Sequence, residues 1–115
     1  MKENIIYDKT FEFSIKIVNL SKTLNRKREY VISQQLLRSG TSIGANINEA
    51  IHAQSRKDFL SKMNIALKEA METEYWLKLL IATEYIEDNN ILNDCLEIKK
   101  ILHSIVKTTK NSIRN

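Results

Sequence analysis

Gln35-Leu36-Leu37-Arg38-Ser39-Gly40-Thr41-Ser42-Ile43-Gly44-Ala45-Asn46-Ile47-Asn48-Glu49-Ala50 contains both glycines of the 115-residue chain. Within it Leu36, Gly40, Ile43, Ile47 and Ala50 recur at steps of four and three, the period of one helix face. This predicts a helix over about residues 29–53, with the glycines inside it rather than at its ends. Four residues apart, Gly40 and Gly44 share a side on which the absent side chains let another backbone come close. In lipid that spacing marks helix dimerisation, but the flanking residues here are polar. Close packing inside a bundle, or a bend where the helix is weakened, is the simpler reading. A phosphate loop is excluded, because no strand precedes the glycines and no Gly-Lys-Ser/Thr ending follows them.

Outward from this stretch the same period continues. Before it, residues from about Asp8 to Leu24 place Phe11, Ile15 and Val18 on one side and Phe13, Ile17, Leu20 and Leu24 on the adjoining one, with Asp8 as the candidate N-cap. After it, Ser55-Arg56-Lys57-Asp58 reads as a capping box with Asp in place of Glu. A third helix over about 56–86 then carries Phe59, Met63, Ala66, Ala70, Leu77 and Ile81. Beyond Glu87-Asp88-Asn89-Asn90, a fourth over about 91–113 carries the heptad seam Ile91, Cys95, Ile98, Leu102, Ile105 and Thr109. Four helices with short links predict one all-α domain over residues 1–115, an antiparallel up-down four-helix bundle.

Composition agrees with this. The chain has no proline and two glycines, far too few for the turns of a sandwich, barrel or meander. A single cysteine forms no internal disulfide and supplies no pair of zinc ligands, which predicts a reducing, cytoplasmic setting. No uninterrupted apolar stretch follows Met1-Lys2-Glu3-Asn4, so neither a signal peptide nor a membrane span is expected.

At 1.5 Å per residue the third predicted helix reaches roughly 46 Å and the first about 25 Å. The excess leaves Tyr75, Trp76, Leu80, Ile81 and Tyr85 without cover, and uncovered apolar surface predicts a homo-oligomer interface there. Ser42, Asn46 and Glu49 form a polar row beside the apolar stripe. It is read as a structural hydrogen-bond network reaching the third helix through Glu69, Glu72 or Tyr75.

Signals for enzyme chemistry are thin. Glu49-Ala50-Ile51-His52 matches the Glu-x-x-His step of di-metal bundles, but such a site needs that step twice. The other histidine, His103, has Lys100 three residues before it, a cation where a carboxylate is required. His52 is therefore read as a surface or capping residue, and no metal or other cofactor is expected. Cys95 lies on the heptad seam and is read as core. No catalytic residue and no small-molecule substrate are assigned.

Charge offers a stronger lead. The net +4 divides into +5 over residues 1–57, −6 over 58–98 and +5 over 99–115. Two basic clusters emerge: Lys22, Arg26, Lys27 and Arg28 at the first link, and Lys99, Lys100, Lys107, Lys110 and Arg114 on the last helix. An up-down bundle puts them at opposite ends. Repeated around an oligomer, either would build a positive rim for sequence-independent phosphate binding.

The quoted stretch, followed by Ser55-Arg56-Lys57-Asp58-Phe59, Ala66-Leu67-Lys68-Glu69-Ala70 and Glu74-Tyr75-Trp76-Leu77, resembles the bacterial four helix bundle proteins encoded by intervening sequences in 23S ribosomal RNA genes. The resemblance implies an antiparallel four-helix bundle assembled as a homopentamer, with no established enzymatic activity. Relatives that serve as accessory variability proteins in diversity-generating retroelements are similar basic pentameric barrels. They bind a reverse transcriptase and nucleic acid, which makes both implied partners of this chain. The expectation is thus a non-enzymatic oligomeric bundle that binds RNA or DNA through basic surfaces. The alternative is a protein–protein interaction scaffold that binds no nucleic acid.

Overall fold

The computed structural model describes residues 2–114. Its helices are α1 (Lys2–Arg26), α2 (Tyr30–Ile51), α3 (Arg56–Ala82) and α4 (Asn90–Arg114), and no strand occurs among the described residues. Each helix packs on the next in the chain, and α1 closes loosely on α4. The result is an antiparallel up-down bundle 50 Å long and 22 by 21 Å across. The α1–α2 and α3–α4 links share one end, with the α2–α3 link and the close of α4 at the other.

The core follows the predicted stripes on three helices. Leu36, Gly40, Ile43, Ile47 and Ala50 of α2 are buried, as are Met63, Ala66, Ala70 and Leu77 of α3 and Cys95, Ile98, Leu102 and Ile105 of α4. Both glycines mark a close approach of α1. A Cβ on Gly40 would lie 2.8 Å from side-chain atoms of the fully buried Ile17, and one on Gly44 would lie 3.3 Å from Ser14 Oγ. Small polar pairs lock the helices together: Ser21 Oγ and Ser33 Oγ are 2.6 Å apart across α1 and α2, and Thr73 Oγ1 donates to Ser39 Oγ across α3 and α2.

The structure corrects two boundaries. Helix α1 begins at Lys2, and Asp8 is an exposed residue within it rather than an N-cap. Ile6, Thr10, Phe13, Ile17 and Leu24 form its buried line. Thr10 fits there because its hydroxyl donates to the Ile6 carbonyl at 2.8 Å. Phe11 and Ile15, read as one of two apolar sides, face solvent.

Helix α3 stops at Ala82, before the predicted Ile86. Glu84 enters the left-handed region at φ 66°, while Tyr85 N–H donates to the Leu80 carbonyl and Glu84 N–H to that of Ile81. These are the paired bonds of a Schellman stop. Arg28, at φ 64°, ends α1 with the same pair, from Glu29 N–H to Leu24 and from Arg28 N–H to Asn25. The capping box at α3 holds, since Ser55 Oγ accepts from Asp58 N–H at 3.0 Å.

With α1 at 25 residues and α3 at 27, the supposed excess length disappears. Leu80 is fully buried within the chain, while Trp76 and Tyr85 pack against the core.

Candidate nucleic-acid interface

On α4, Lys100, His103, Lys107, Lys110 and Arg114 follow one another at steps of three, four, three and four, and all are exposed. That spacing keeps them on one side of the helix. The side is fixed by Lys99, whose Nζ reaches Glu74 Oε1 of α3 at 2.6 Å. Lys78 binds the other carboxylate oxygen of Glu74 at 2.7 Å. Lys78 and Lys99 together hold this carboxyl below its ordinary pKa.

Helix α3 contributes Lys57 and Lys68, eleven residues or about three turns apart and therefore on one side. Both line a surface groove with Leu60, Ser61, Asn64 and Ile65, and Ile113 of α4 completes it. The outer surface of α3 and α4 thus presents Lys57, Lys68, Lys100, Lys107, Lys110 and Arg114. None of these six forms an ion pair among the described residues.

The acids of α3 and α4 are mostly spent elsewhere. Glu69 and Glu72 bind Arg38 of α2, while Asp94 and Glu97 bind Lys16 and Lys9 of α1. Trp76 Nε1 donates to Glu72 Oε2 at 3.0 Å, and this bond, ahead of the Arg38 guanidinium, lowers the Glu72 pKa. The acidic middle third of the sequence is therefore not an acidic face. Five of its nine carboxylates turn toward cations of neighbouring helices, and Lys57 and Lys68 form no ion pair among the described residues. The charge division placed Lys57 at the end of the first basic block and Lys68 inside the acidic one, which parted the two, although their spacing was a readable signal.

The predicted basic residues do not gather at one site. Lys99 is occupied by Glu74, and Lys100 lies midway along α4, away from Lys107, Lys110 and Arg114 at its end. Lys22, Arg26, Lys27 and Arg28 are exposed at the opposite end. They share it with the carboxylates of the α3–α4 link, Glu84, Glu87 and Asp88.

The polar row of α2 does not reach α3 as a network. Ser42 Oγ donates to the Arg38 carbonyl and Asn46 Nδ2 to the Ser42 carbonyl, both within α2. Glu49 alone crosses, to Lys62 at 3.3 Å. Arg38 already occupies Glu69 and Glu72, the acceptors the row was expected to use.

Of the residues assigned to an oligomer interface, Tyr75 is exposed and stacks edge-on against Trp76, with ring centroids 5.1 Å apart. Ile81 is half-buried. With Leu80 inside the core, the five do not make one open surface. His52 caps α2, with its Nδ1 2.9 Å from the Asn48 carbonyl. Among the described residues no group of three His, Cys, Asp or Glu side chains is placed to hold a metal. No helix among them is long and apolar enough to cross a membrane.

The model of the 23S rRNA-intervening sequence protein family matches residues 2–104. A solved structure from Bacteroides thetaiotaomicron VPI-5482, described as a protein with unknown function from the S23 ribosomal protein family, is 61% identical with a TM-score of 0.89. The match covers 93% of this chain and 99% of that one. Comparison with the curated proteins finds no match.

Proposed function

The chain belongs to the 23S rRNA-intervening sequence protein family, and on that premise we propose that it is a non-enzymatic, oligomeric bundle that binds nucleic acid through phosphate contacts. The observation carrying this reading is the sorting of charge on α3 and α4. Six exposed cations lie on their outer surface, while five of their six carboxylates are closed in ion pairs. Cations without internal partners contribute little to folding and are free to replace the counterions of a phosphate chain. Self-association adds to this by repeating the surface, so that one strand meets several copies.

The test is a titration of single-stranded RNA at several salt concentrations. Engagement of six phosphates gives a slope of log affinity against log salt of about −4. Absence of binding at low salt removes the reading.

A further inference from the structure

Lys57, Lys68 and Tyr75 follow one another along α3 at steps of eleven and seven residues, about three turns and two. They therefore share one outward line, with Tyr75 roughly 10 Å beyond Lys68. Met71, 51% exposed, lies between those two, one turn before Tyr75. The Glu74 pair with Lys99 sets α3 and α4 level at this point, which brings the exposed Lys100 of α4 beside the same stretch.

The Tyr75 ring is held rather than loose. Trp76 meets it edge-on, with planes at 74°. The Trp76 indole N–H is fixed on Glu72, and Glu72 is fixed on Arg38 of α2. At 60% exposure, much of the ring remains open to a second partner, and a side chain already held loses little further freedom on binding one. The charges around it suit a polyanion. Both carboxylates within three residues of Tyr75 are taken, Glu72 by Arg38 and Glu74 by Lys78 and Lys99. Lys68 and Lys100 form no ion pair among the described residues.

We infer that Tyr75 is a stacking platform for an unpaired base, and that it makes this surface select single-stranded over duplex nucleic acid. Phosphate contacts alone do not give that selection, because a duplex carries the denser charge and releases more counterions per contact. Every base has a π-face that an aromatic side chain can meet, whereas in a duplex the bases close those faces on one another. A line of cations ending in an exposed ring combines the two parts such a site needs: the lysines follow the backbone and the ring takes a base. Stacking reads no base edge, so the selection is for strandedness and not for sequence.

This inference rests on the phosphate-binding reading above, and the experiment separates the two. An unstructured RNA strand, and the duplex it forms with its complement, are each titrated at low and at higher salt. Wild type should bind the strand more tightly than the duplex. Tyr75→Ala should weaken strand binding at least fivefold, the loss of about one stacked base, with duplex affinity and the salt slope unchanged. Tyr75→Phe, which keeps the ring, should bind the strand as wild type does.

Light scattering on Tyr75→Ala should return the wild-type mass. A changed mass would place the ring in a protein contact and overturn the inference. Equal losses for strand and duplex, or strand binding that survives removal of the ring, overturn it as well and leave the phosphate reading standing. Absence of binding to either RNA overturns both.

Discussion

Gly40 and Gly44 have the same sequence context but different neighbours. Alanine at either gains about 1 kcal/mol of helix propensity. At position 40 the new methyl meets three atoms of the buried Ile17 within 2.9 Å, and overpacking of that kind costs about 1–3 kcal/mol. Gly40→Ala should therefore destabilise by about 1 kcal/mol in urea unfolding. Gly44→Ala, facing the Ser14 hydroxyl at 3.3 Å, should stay within about 0.5 kcal/mol of wild type.

Glu72 offers a second single-residue test. Its carboxyl is held below the ordinary 4.5 by the Trp76 indole N–H and then by Arg38, so the folded state favours the carboxylate. The stability it adds is complete at neutral pH and drains as pH falls below 4.5 through the lowered folded value. Fluorescence of Trp76, the only tryptophan, should report that acid transition, and Glu72→Gln should abolish it. Cys95 behaves oppositely: burial pushes its thiol up to about 12, which keeps it inert to alkylation in the folded protein.

At the scale of elements, the positions of α2, α3 and α4 were legible because their apolar residues keep a helical period and Ser55 signals a start. The ends were not. Schellman stops normally announce themselves by glycine, yet here Arg28 and Glu84 take the left-handed position and both glycines lie inside α2. Without the glycine cue, α3 appeared to run on to Ile86. At the other boundary, the polar Thr10 interrupted the core line of α1 and concealed its start. Glu84→Gly should relieve the backbone cost and raise stability by about 1 kcal/mol, seen as a higher urea midpoint with unchanged slope.

Across the whole molecule, the up-down fold was readable from four periodic segments, but the charged surface was only half readable. Lys107, Lys110 and Arg114 stood out as a run of cations in the sequence. Lys68 did not, because the carboxylates that follow it in the chain, Glu69 and Glu72, point to another helix in space, and Lys57 stood eleven residues before it in a different charge block. Arg38 draws Glu69 and Glu72 aside, just as Lys9 and Lys16 draw Glu97 and Asp94. At the opposite end, the prominent Arg26-Lys27-Arg28 run shares its surroundings with Glu84, Glu87 and Asp88, which weakens its field.

The two ends therefore make different predictions, and one comparison separates them: RNA affinity at fixed low salt for Lys107→Glu, Lys110→Glu, Arg114→Glu against Arg26→Glu, Lys27→Glu, Arg28→Glu. Equal losses, or a larger loss from the second triple variant, would contradict the assignment of the phosphate contacts to α3 and α4; the expected result is a loss of at least a hundredfold from the first and less than tenfold from the second.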